Sequence, residues 1–491
     1  MCLDSADKLK TPLRGSLHRV YLSITFENSN RLSKVEQRTN HMDKLFGTDG
    51  IRGQANRHPI TPEIVLQLGK ALGQVYGASG HGSRRAVIGK DTRLSGYMLE
   101  TALTSGLVSM GMDVFLVGPI PTPAVAHLTR SMAADIGMVL TASHNPYDDN
   151  GIKLFGRDGF KLSDTMEEQI ARATLSKELL SDHIRSDKIG KAYRIDDARG
   201  RYIEFVKHTI DSQDLSGIHA VVDCANGAAY FIGPIILNEL GAKVTKVFVE
   251  PDGYNINNKC GALHPESVAK LVKKHHADVG IAFDGDADRV IFCDAAGRVV
   301  DGDRILAMCA LDLQKRHILA KNALVVTTMS NLGLHRAMAS HGIRVHATDV
   351  GDRYVIEHMR KIGASLGGEK SGHVIFMDHA TTGDGIVTAL QVLRMMKLKN
   401  APLADLASCF TEFPQLMTSL KVAVKRPLEE LPLLQKAMSR CRDDLGKDGR
   451  IIVRYSGTED KLRLLVEASE MKAARAWMKR LVTIARKEIV L

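Results

Sequence analysis

The feature of the sequence that most constrains the fold is a unit that occurs three times. In each copy a short apolar stretch leads into a helical segment, and a glycine then opens a second apolar stretch. A glycine at this point suits the end of a helix, and strand–helix–strand units give parallel strands with right-handed crossovers. The three copies span residues 86–114, 219–244 and 323–345. They predict three α/β domains of similar design.

The last part of the chain has a different pattern. Arg450–Arg454 and Leu462–Ala468 are typical of strands, whereas Leu428–Leu445 and Met471–Ile489 are typical of helices. Short strands with helices beside them predict a small α+β domain. The predicted fold is therefore three similar mixed-sheet α/β domains plus a C-terminal α+β domain. We expect the domains at 42–195, 196–297, 298–411 and 412–491, after a disordered extension over 1–41.

Composition excludes several classes of protein. The 491 residues are 44% hydrophobic and 25% charged, which is typical of a globular chain rather than a disordered or collagen-like one. No apolar run reaches 18 residues and the first residues lack the apolar region of a secretory signal, so we expect neither a membrane span nor export. The 7 scattered cysteines contain no C-x-x-C pair. This spacing disfavours disulfides or a zinc site and predicts a cytoplasmic location.

The net charge of +10 raises the question of nucleic-acid binding. The excess is diffuse, and no basic run with interleaved aromatic residues is present, so we expect no nucleic-acid partner. The motifs favour a different use of the cations, namely binding of a phosphorylated small molecule.

A polar loop follows the apolar stretch Ile136–Leu140 and reads TASHNPYDDNGIK over residues 141–153. Ligands of open α/β sheets bind beyond the carboxyl ends of strands, and Asn-Pro and Asn-Gly favour turns. We expect Ser143 and His144 in an exposed, tightly shaped loop. A plain polar turn and a Ser–His hydrolase are alternatives, although the G-x-S-x-G elbow of many hydrolases is absent.

The segment FDGDADR places Asp284, Asp286 and Asp288 directly after the apolar stretch Val279–Phe283. In an extended conformation these carboxylates project to one face and suit Mg²⁺. Arg289 stands where an EF-hand requires glycine, which excludes that loop. A dehalogenase-type phosphatase with Asp284 as nucleophile and a solvated acidic loop remain as alternatives.

Three shorter segments present polar side chains on glycine-containing loops, although each taken singly is more often a plain loop than a site. LFGTDGIRG at 45–53 presents Arg52, GGEKSGH at 367–373 presents a carboxylate, a hydroxyl and an imidazole, and RYSGTE at 454–459 suits a phosphate dianion. Neither a P-loop nor a Rossmann glycine motif is present, so no cradle for ATP or NAD is evident.

Four of these segments carry a resemblance to a known family. In their order and form, TASHNPYDDNGIK, DGDADR, GGEKSGH and RYSGTE are similar to the active-site loops of the α-D-phosphohexomutase superfamily, whose members isomerise sugar phosphates. The resemblance covers residues 42–491 and implies four domains around a central active-site cleft. The forms KLFGTDGIRG and NPYDDNGIK are most similar to the members that act on glucosamine phosphate.

The resemblance implies a role for each matching residue. Ser143 would carry a phosphoryl group and would hold Mg²⁺ together with the three aspartates. Arg52, Lys153, His373 and Arg289 would serve proton transfer and phosphoryl stabilisation, and a lysine near arginines would have the lowered pKa of a general base. The residues implied in substrate binding are Glu369, Ser371, Arg454, Ser456, Gly457, Thr458 and Arg463.

The implied reaction interconverts glucosamine 6-phosphate and glucosamine 1-phosphate through a sugar 1,6-bisphosphate, feeding UDP-N-acetylglucosamine and cell-wall precursors. The alternatives are a phosphomannomutase or phosphoglucomutase of the same superfamily, and a Mg²⁺-dependent sugar phosphatase. The expected partner is a small-molecule sugar phosphate, with a homodimer as a possible assembly.

Overall fold

The computed structural model describes residues 45–47, 49–78, 83–176, 184–456 and 460–489. The disorder expected for 1–41 lies outside these residues, as do Gly457 and Thr458. Among the helices that are described, none has the length and apolar character needed to cross a membrane.

The first sheet has six strands in the order β1-β5-β4-β2-β3-β6. β4, β2, β3 and β6 run parallel to one another, whereas β5 is antiparallel to both β1 and β4, which makes the sheet mixed. Its helices are Pro62–Ala78, Ser95–Ser109, Thr122–Ser131 and Asp164–Leu175. The strands are β1 (Ile51–Gln54), β2 (Arg85–Lys90), β3 (Asp113–Pro119), β4 (Ile136–Leu140), β5 (Asp149–Gly156) and β6 (Ala192–Arg194).

The second sheet has five strands in the order β11-β10-β9-β7-β8. β7 is parallel to β8 and β9, and β10 is antiparallel to β9 and β11. Its helices are Ala198–His208, Ile232–Glu239 and Pro265–His275. The strands are β7 (His219–Asp223), β8 (Lys243–Val247), β9 (Val279–Phe283), β10 (Val290–Asp294) and β11 (Val299–Val300).

The third sheet has four strands in the order β13-β12-β14-β15. β12 is parallel to β13 and β14, and β15 is antiparallel to β14. The strands are β12 (Ala323–Thr327), β13 (Arg344–Thr348), β14 (Leu366–Gly368) and β15 (Val374–Phe376). The accompanying helices are Gly302–Lys315, Leu332–Ser340, Asp352–Ile362, Gly385–Lys399 and Leu403–Leu406.

The three predicted strand–helix–strand units are confirmed. Each forms a parallel pair, namely β2 with β3, β7 with β8 and β12 with β13. The glycines that close them, Gly111, Gly241 and Gly342, have φ values of 81°, 86° and 72°. This left-handed conformation is strained for residues with a Cβ, which explains why glycine occupies the same place in each copy.

The fourth sheet is antiparallel, in the order β16 (Gln415–Lys421), β18 (Lys461–Ala468), β17 (Gly449–Tyr455). Its helices are Pro432–Leu445 and Met471–Ile489, so the helix predicted from Leu428 begins later, with proline at its first position. Leu434, Trp477 and Leu481 belong to a core of this domain alone, whereas one apolar cluster runs through the other three. The predicted fold class is confirmed.

Candidate active site

Ser143 lies just beyond the carboxyl end of β4, in the left-handed conformation with φ 51°. Its side-chain hydroxyl donates a 2.6 Å hydrogen bond to Oδ2 of Asp284 and lies 3.4 Å from Nδ1 of His144. The expectation that this loop is exposed is wrong for the serine, which is 1% exposed. The loop packs against the second domain, and that contact covers the residue.

Two side chains from outside the loop hold its backbone in place. Arg93, which is fully buried, donates from Nη2 to the carbonyl oxygens of Ser143 and Asn145, both at 2.9 Å. Asn257 of the second domain donates to the same two oxygens at 2.9 and 3.1 Å. Asp91 forms a 2.9 Å ion pair with Arg93 and so balances its buried charge. The strained serine is therefore fixed by contacts from two domains.

The three aspartates lie in a turn between β9 and β10. The extended conformation expected for them is wrong, because Ala287 adopts the left-handed conformation with φ 56°. The turn nevertheless brings one oxygen of each carboxylate within 4.8 Å of the others. Thr122 of the first domain donates a 2.6 Å hydrogen bond to Asp286 Oδ2. Convergence here results from the turn rather than from strand alternation.

This cluster suits a divalent cation. Asp284, Asp286 and Asp288 are all buried, and Oδ1 of Asp286 and of Asp288 have no hydrogen-bond partner among the described residues. Burial and the neighbouring carboxylates raise the pKa of Asp284 well above its ordinary value. Buried carboxylates are costly without a compensating charge, and hard oxygen donors are the ligands that Mg²⁺ prefers.

Lys153 supplies part of that compensating charge. Its ammonium lies 2.8 Å from an oxygen of Asp286, 2.8 Å from one of Asp288 and 3.4 Å from one of Asp49. Burial alone would lower the pKa of Lys153, but these carboxylates hold it well above its ordinary value. The expected lowered pKa is therefore wrong, because carboxylates rather than arginines dominate its surroundings.

Arg289 and His373 border the same cluster. Nε of Arg289 lies 3.8 Å from Asp288, and Nδ1 of His373 lies 3.7 Å from it. The other ring nitrogen of His373 lies 3.6 Å from Asp352 and accepts a 3.1 Å hydrogen bond from the backbone of Gly383. Burial lowers the pKa of His373, but the surrounding carboxylates raise it overall.

Three residues at the site were not assigned from the sequence. Asp49 forms ion pairs with Arg52, Lys153 and Lys161, and Lys161 also binds Asp352 of the third domain. Asp49 could have been found, because it lies in the same short motif as Arg52. Lys161 and Asp352 carried no sequence signal, since their pairing spans 191 positions.

The third-domain loop presents Glu369 and Ser371 beside this network. Oε1 of Glu369 accepts a 3.1 Å hydrogen bond from the backbone of Gly351, and the hydroxyl of Ser371 donates to Oε2 at 3.3 Å. Glu369 is also close enough to raise the pKa of His373. The loop thus places a carboxylate and a hydroxyl next to the imidazole.

Arg454 and Arg463 lie opposite each other on β17 and β18 of the fourth sheet. Burial and the charge of Arg463 lower the pKa of Arg454, while Asp349 of the third domain raises it. Two like charges at paired positions are unfavourable without an anion between them. Ser456 follows β17, and its backbone donates to Lys461 at 2.8 Å. Gly457 and Thr458 lie outside the described residues.

Comparison with protein families decides the relationship. The phosphoglucomutase/phosphomannomutase models match in order: α/β/α domain I over residues 43–180, domain II over 200–297, domain III over 301–413 and the C-terminal domain over 419–484. The chain belongs to the phosphoglucomutase/phosphomannomutase family. The resemblance to α-D-phosphohexomutases is confirmed, and the chain is an enzyme of the isomerase class that transfers phosphoryl groups within a sugar phosphate.

Similar members of the family come from bacteria. The chain is 55% identical over 439 residues to a phosphoglucosamine mutase of Anaeromyxobacter sp. (strain Fw109-5), covering 88% of this chain and 93% of the relative. It is 53% identical to a phosphoglucosamine mutase of Myxococcus xanthus, covering 91% and 97%. A crystal structure of a phosphoglucomutase/phosphomannomutase family protein from Burkholderia thailandensis shares the fold, with a TM-score of 0.76, 24% identity and coverage of 91% and 97%.

Proposed function

We propose that the enzyme interconverts glucosamine 6-phosphate and glucosamine 1-phosphate through a phosphoserine at Ser143. The observation that carries this proposal is the buried serine hydroxyl, which donates a 2.6 Å hydrogen bond to Asp284 of the three-aspartate cluster. The relatives that are 55% and 53% identical are named phosphoglucosamine mutases, which supports the choice of sugar.

In the first half-reaction the phosphoserine donates its phosphoryl group to O1 of glucosamine 6-phosphate. The bond from phosphorus to the serine oxygen breaks and that oxygen takes up a proton, while a bond from phosphorus to O1 forms and the O1 proton passes to a base. The products are glucosamine 1,6-bisphosphate and free Ser143. Transfer of this kind depends mainly on positioning and charge stabilisation.

In the second half-reaction the bisphosphate presents its other end to the serine. The bond from phosphorus to O6 breaks and O6 takes up a proton, while the Ser143 hydroxyl passes its proton to a base and its oxygen receives the phosphoryl group. The enzyme recovers its phosphoserine and releases glucosamine 1-phosphate. A sugar 1,6-bisphosphate is therefore both intermediate and primer.

Asp284, Asp286 and Asp288 would hold Mg²⁺ together with the serine oxygen. The bound cation would neutralise developing charge on the phosphoryl oxygens. Phosphoserine carries about −1.5 to −2 charge near pH 7. The carboxylate cluster and the modified serine are both negatively charged, so both would require the bound cation.

The basic side chains near the serine fall into two groups, which would stabilise the phosphoryl group and move a proton. Arg52, Lys153 and Arg289 stay charged and stabilise the transferring group, since each pairs with a carboxylate of the site. His373 is the candidate for moving the hydroxyl proton, because an imidazole can both accept and return one. Glu369 and Ser371 would bind the sugar hydroxyls.

Recognition of the phosphate that does not react would fall to the fourth domain. Arg454 and Arg463 present two guanidinium groups at paired positions, and an anion between them would relieve their repulsion. Ser456, Gly457 and Thr458 would also bind this phosphate, as the resemblance to the family motif implies. A phosphate site apart from the serine would hold one end of the sugar while the other end reacts.

The direct test is ³¹P NMR on the purified enzyme with Mg²⁺ and a trace of glucosamine 1,6-bisphosphate. Glucosamine 6-phosphate should convert to glucosamine 1-phosphate faster than the corresponding glucose and mannose phosphates interconvert. Faster reaction of glucose or mannose phosphate would assign the enzyme to the other mutases of the family. Accumulation of inorganic phosphate would instead indicate a phosphatase. We also propose a cytoplasmic location for the enzyme, on the basis of its scattered cysteines.

A further inference from the structure

A cavity outside the proposed active site lies at the same edge of the first sheet as the loop that contains Ser143. It has a volume of about 430 Å³ and includes Lys90, Pro119 and Arg194 in its lining. These are the last residues of β2, β3 and β6, three neighbouring parallel strands. The crevice beyond the carboxyl ends of parallel strands is where open α/β sheets bind ligands. The volume is within the range of small-molecule sites.

The cavity contains two guanidinium groups prepared for an anion. Arg199 lies over the rings of Tyr230 and Phe231, with centroid distances of 5.7 and 4.9 Å, and donates a 3.3 Å hydrogen bond to the Tyr230 hydroxyl. Among the residues that the structure describes, no carboxylate lies within ion-pair distance of Arg199 or Arg194. Stacking fixes the guanidinium plane, and this leaves its remaining donors for a ligand.

The acidic side chains of the lining do not cancel this charge. Glu100 is engaged by Lys90, whose ammonium also lies 4.0 Å from the centre of the Tyr97 ring. Asp196 is the other carboxylate of the lining. With three cations against two carboxylates, the cavity keeps a net positive charge, which favours a phosphate dianion.

Aromatic rings line the cavity beside the arginines. Tyr97 and Tyr230 both contribute to the lining, and Tyr97 is 60% exposed although the Lys90 ammonium lies over one face of its ring. Planar bases stack on exposed aromatic rings and on arginine planes with useful affinity. The combination of aromatic rings and two guanidinium groups differs from what a sugar phosphate alone would require.

The cavity is separate from the active site. Its lining contains none of the residues to which phosphoryl transfer is assigned. The two sites nevertheless share a strand end, because Asp91 follows Lys90 and accepts a 2.6 Å hydrogen bond from Thr141 of the catalytic loop. Because the lining contains none of the residues assigned to phosphoryl transfer, a ligand in the cavity would not compete with the sugar phosphate.

We propose that this cavity binds a nucleoside phosphate, with the phosphate on Arg194 and Arg199 and the base against the tyrosine rings. The site lies at the junction of the first two domains, since Tyr230 follows β7 whereas Lys90 ends β2. It is an additional binding site and takes no part in the mutase reaction itself.

The test is isothermal titration of the full-length enzyme with uridine 5′-monophosphate and adenosine 5′-monophosphate. At least one should bind saturably, and Arg199→Gln should weaken that binding about tenfold or more, because a charge-assisted phosphate contact is lost. Arg201→Gln is the matched control: Arg201 lies on the same helix, pairs with Asp197 at 2.9 Å and does not line the cavity. It should bind as the wild type does.

Two further measurements separate the cavity from the active site and the base from the phosphate. Saturating glucosamine 6-phosphate should leave the nucleotide affinity unchanged, and Tyr97→Ala should remove the preference for nucleotide over ribose 5-phosphate. Displacement by glucosamine 6-phosphate, equal binding by Arg199→Gln, or no saturable binding of either nucleotide would overturn the proposal. An unchanged melting temperature of each variant would show that lost binding does not reflect lost folding.

Discussion

The hydroxyl of Ser143 and the carboxylate of Asp284 are joined by a 2.6 Å hydrogen bond across 141 positions of sequence. The bond connects the loop after β4 in the first sheet to the turn after β9 in the second. Each loop alone is a polar turn, and the proposed phosphoryl-transfer site exists only where the two meet. The packing between the first two domains is therefore a condition of the chemistry.

Replacing Ser143 with alanine should abolish mutase activity, with a loss of about 1,000-fold or more, because no other group can take its place as phosphoryl carrier. Since the hydroxyl is buried and donates a hydrogen bond to Asp284, we also expect the free energy of unfolding to fall by about 1–2 kcal/mol. Intact-mass measurement should find one phosphate on the wild type and none on the variant. Ser340→Ala, at an exposed serine, is the control. A phosphate retained by Ser143→Ala would contradict the assignment.

Replacing Asp286 with asparagine should weaken Mg²⁺ binding about tenfold or more and should lower turnover in parallel, because the cluster loses one of its three carboxylates. Excess Mg²⁺ should restore part of the activity. Titration calorimetry with Mg²⁺ alone gives a readout that does not depend on activity. Asp278→Asn, at an exposed carboxylate outside the cluster, should behave as the wild type does. Full activity of Asp286→Asn after chelation would show that the cluster is not a metal site.

Strands were predictable from the sequence where apolar residues are continuous. Ile136–Leu140 and Val279–Phe283 have the predicted bounds, because buried parallel strands read as short apolar runs between polar loops. The motifs that follow these strands were identified for the same reason, since ligand-binding loops stand at strand ends.

The surroundings of the catalytic side chains were not predictable in this way. Ser143 is buried because Asn257 and Arg93 close over its loop, and neither is near it in sequence. Lys153 keeps its proton because Asp286 and Asp288 approach it from another domain. Burial and pKa depend on such long-range contacts, whereas residue patterns report local structure.

Replacing Arg93 with lysine should reduce both stability and turnover. The lysine can keep the charge pair with Asp91, but it cannot donate at the same time to the carbonyl oxygens of Ser143 and Asn145. We therefore expect the free energy of unfolding to fall by about 2–3 kcal/mol. A small displacement of Ser143 should cost about 100-fold in kcat. Thermal melting and steady-state kinetics test this, with Arg185→Lys, at an exposed pair with Asp187, as control. Wild-type turnover in Arg93→Lys would show that the loop holds its shape without the guanidinium group of Arg93.

The last prediction concerns Asp384, at the N-cap of helix Gly385–Lys399, which accepts hydrogen bonds from Ile386, Val387 and Tyr202. Burial raises its pKa from the ordinary 3.8 to about 6. Between these values the folded protein holds a proton that the unfolded chain has released. The contribution of Asp384 to the free energy of unfolding should therefore fall by about 2 kcal/mol from pH 4 to pH 6 and should be nearly lost at pH 7.

Asparagine at position 384 cannot titrate, so the stability of Asp384→Asn relative to the wild type should increase by about 2.5 kcal/mol between pH 4 and pH 7. Other carboxylates titrate alike in both proteins and cancel in this difference. Denaturant unfolding at several pH values measures it. Asp378→Asn, at an exposed carboxylate six positions earlier in the chain, should run parallel to the wild type throughout. A parallel profile for Asp384→Asn as well would mean that the carboxyl of Asp384 ionises in the folded protein as it does in the unfolded chain.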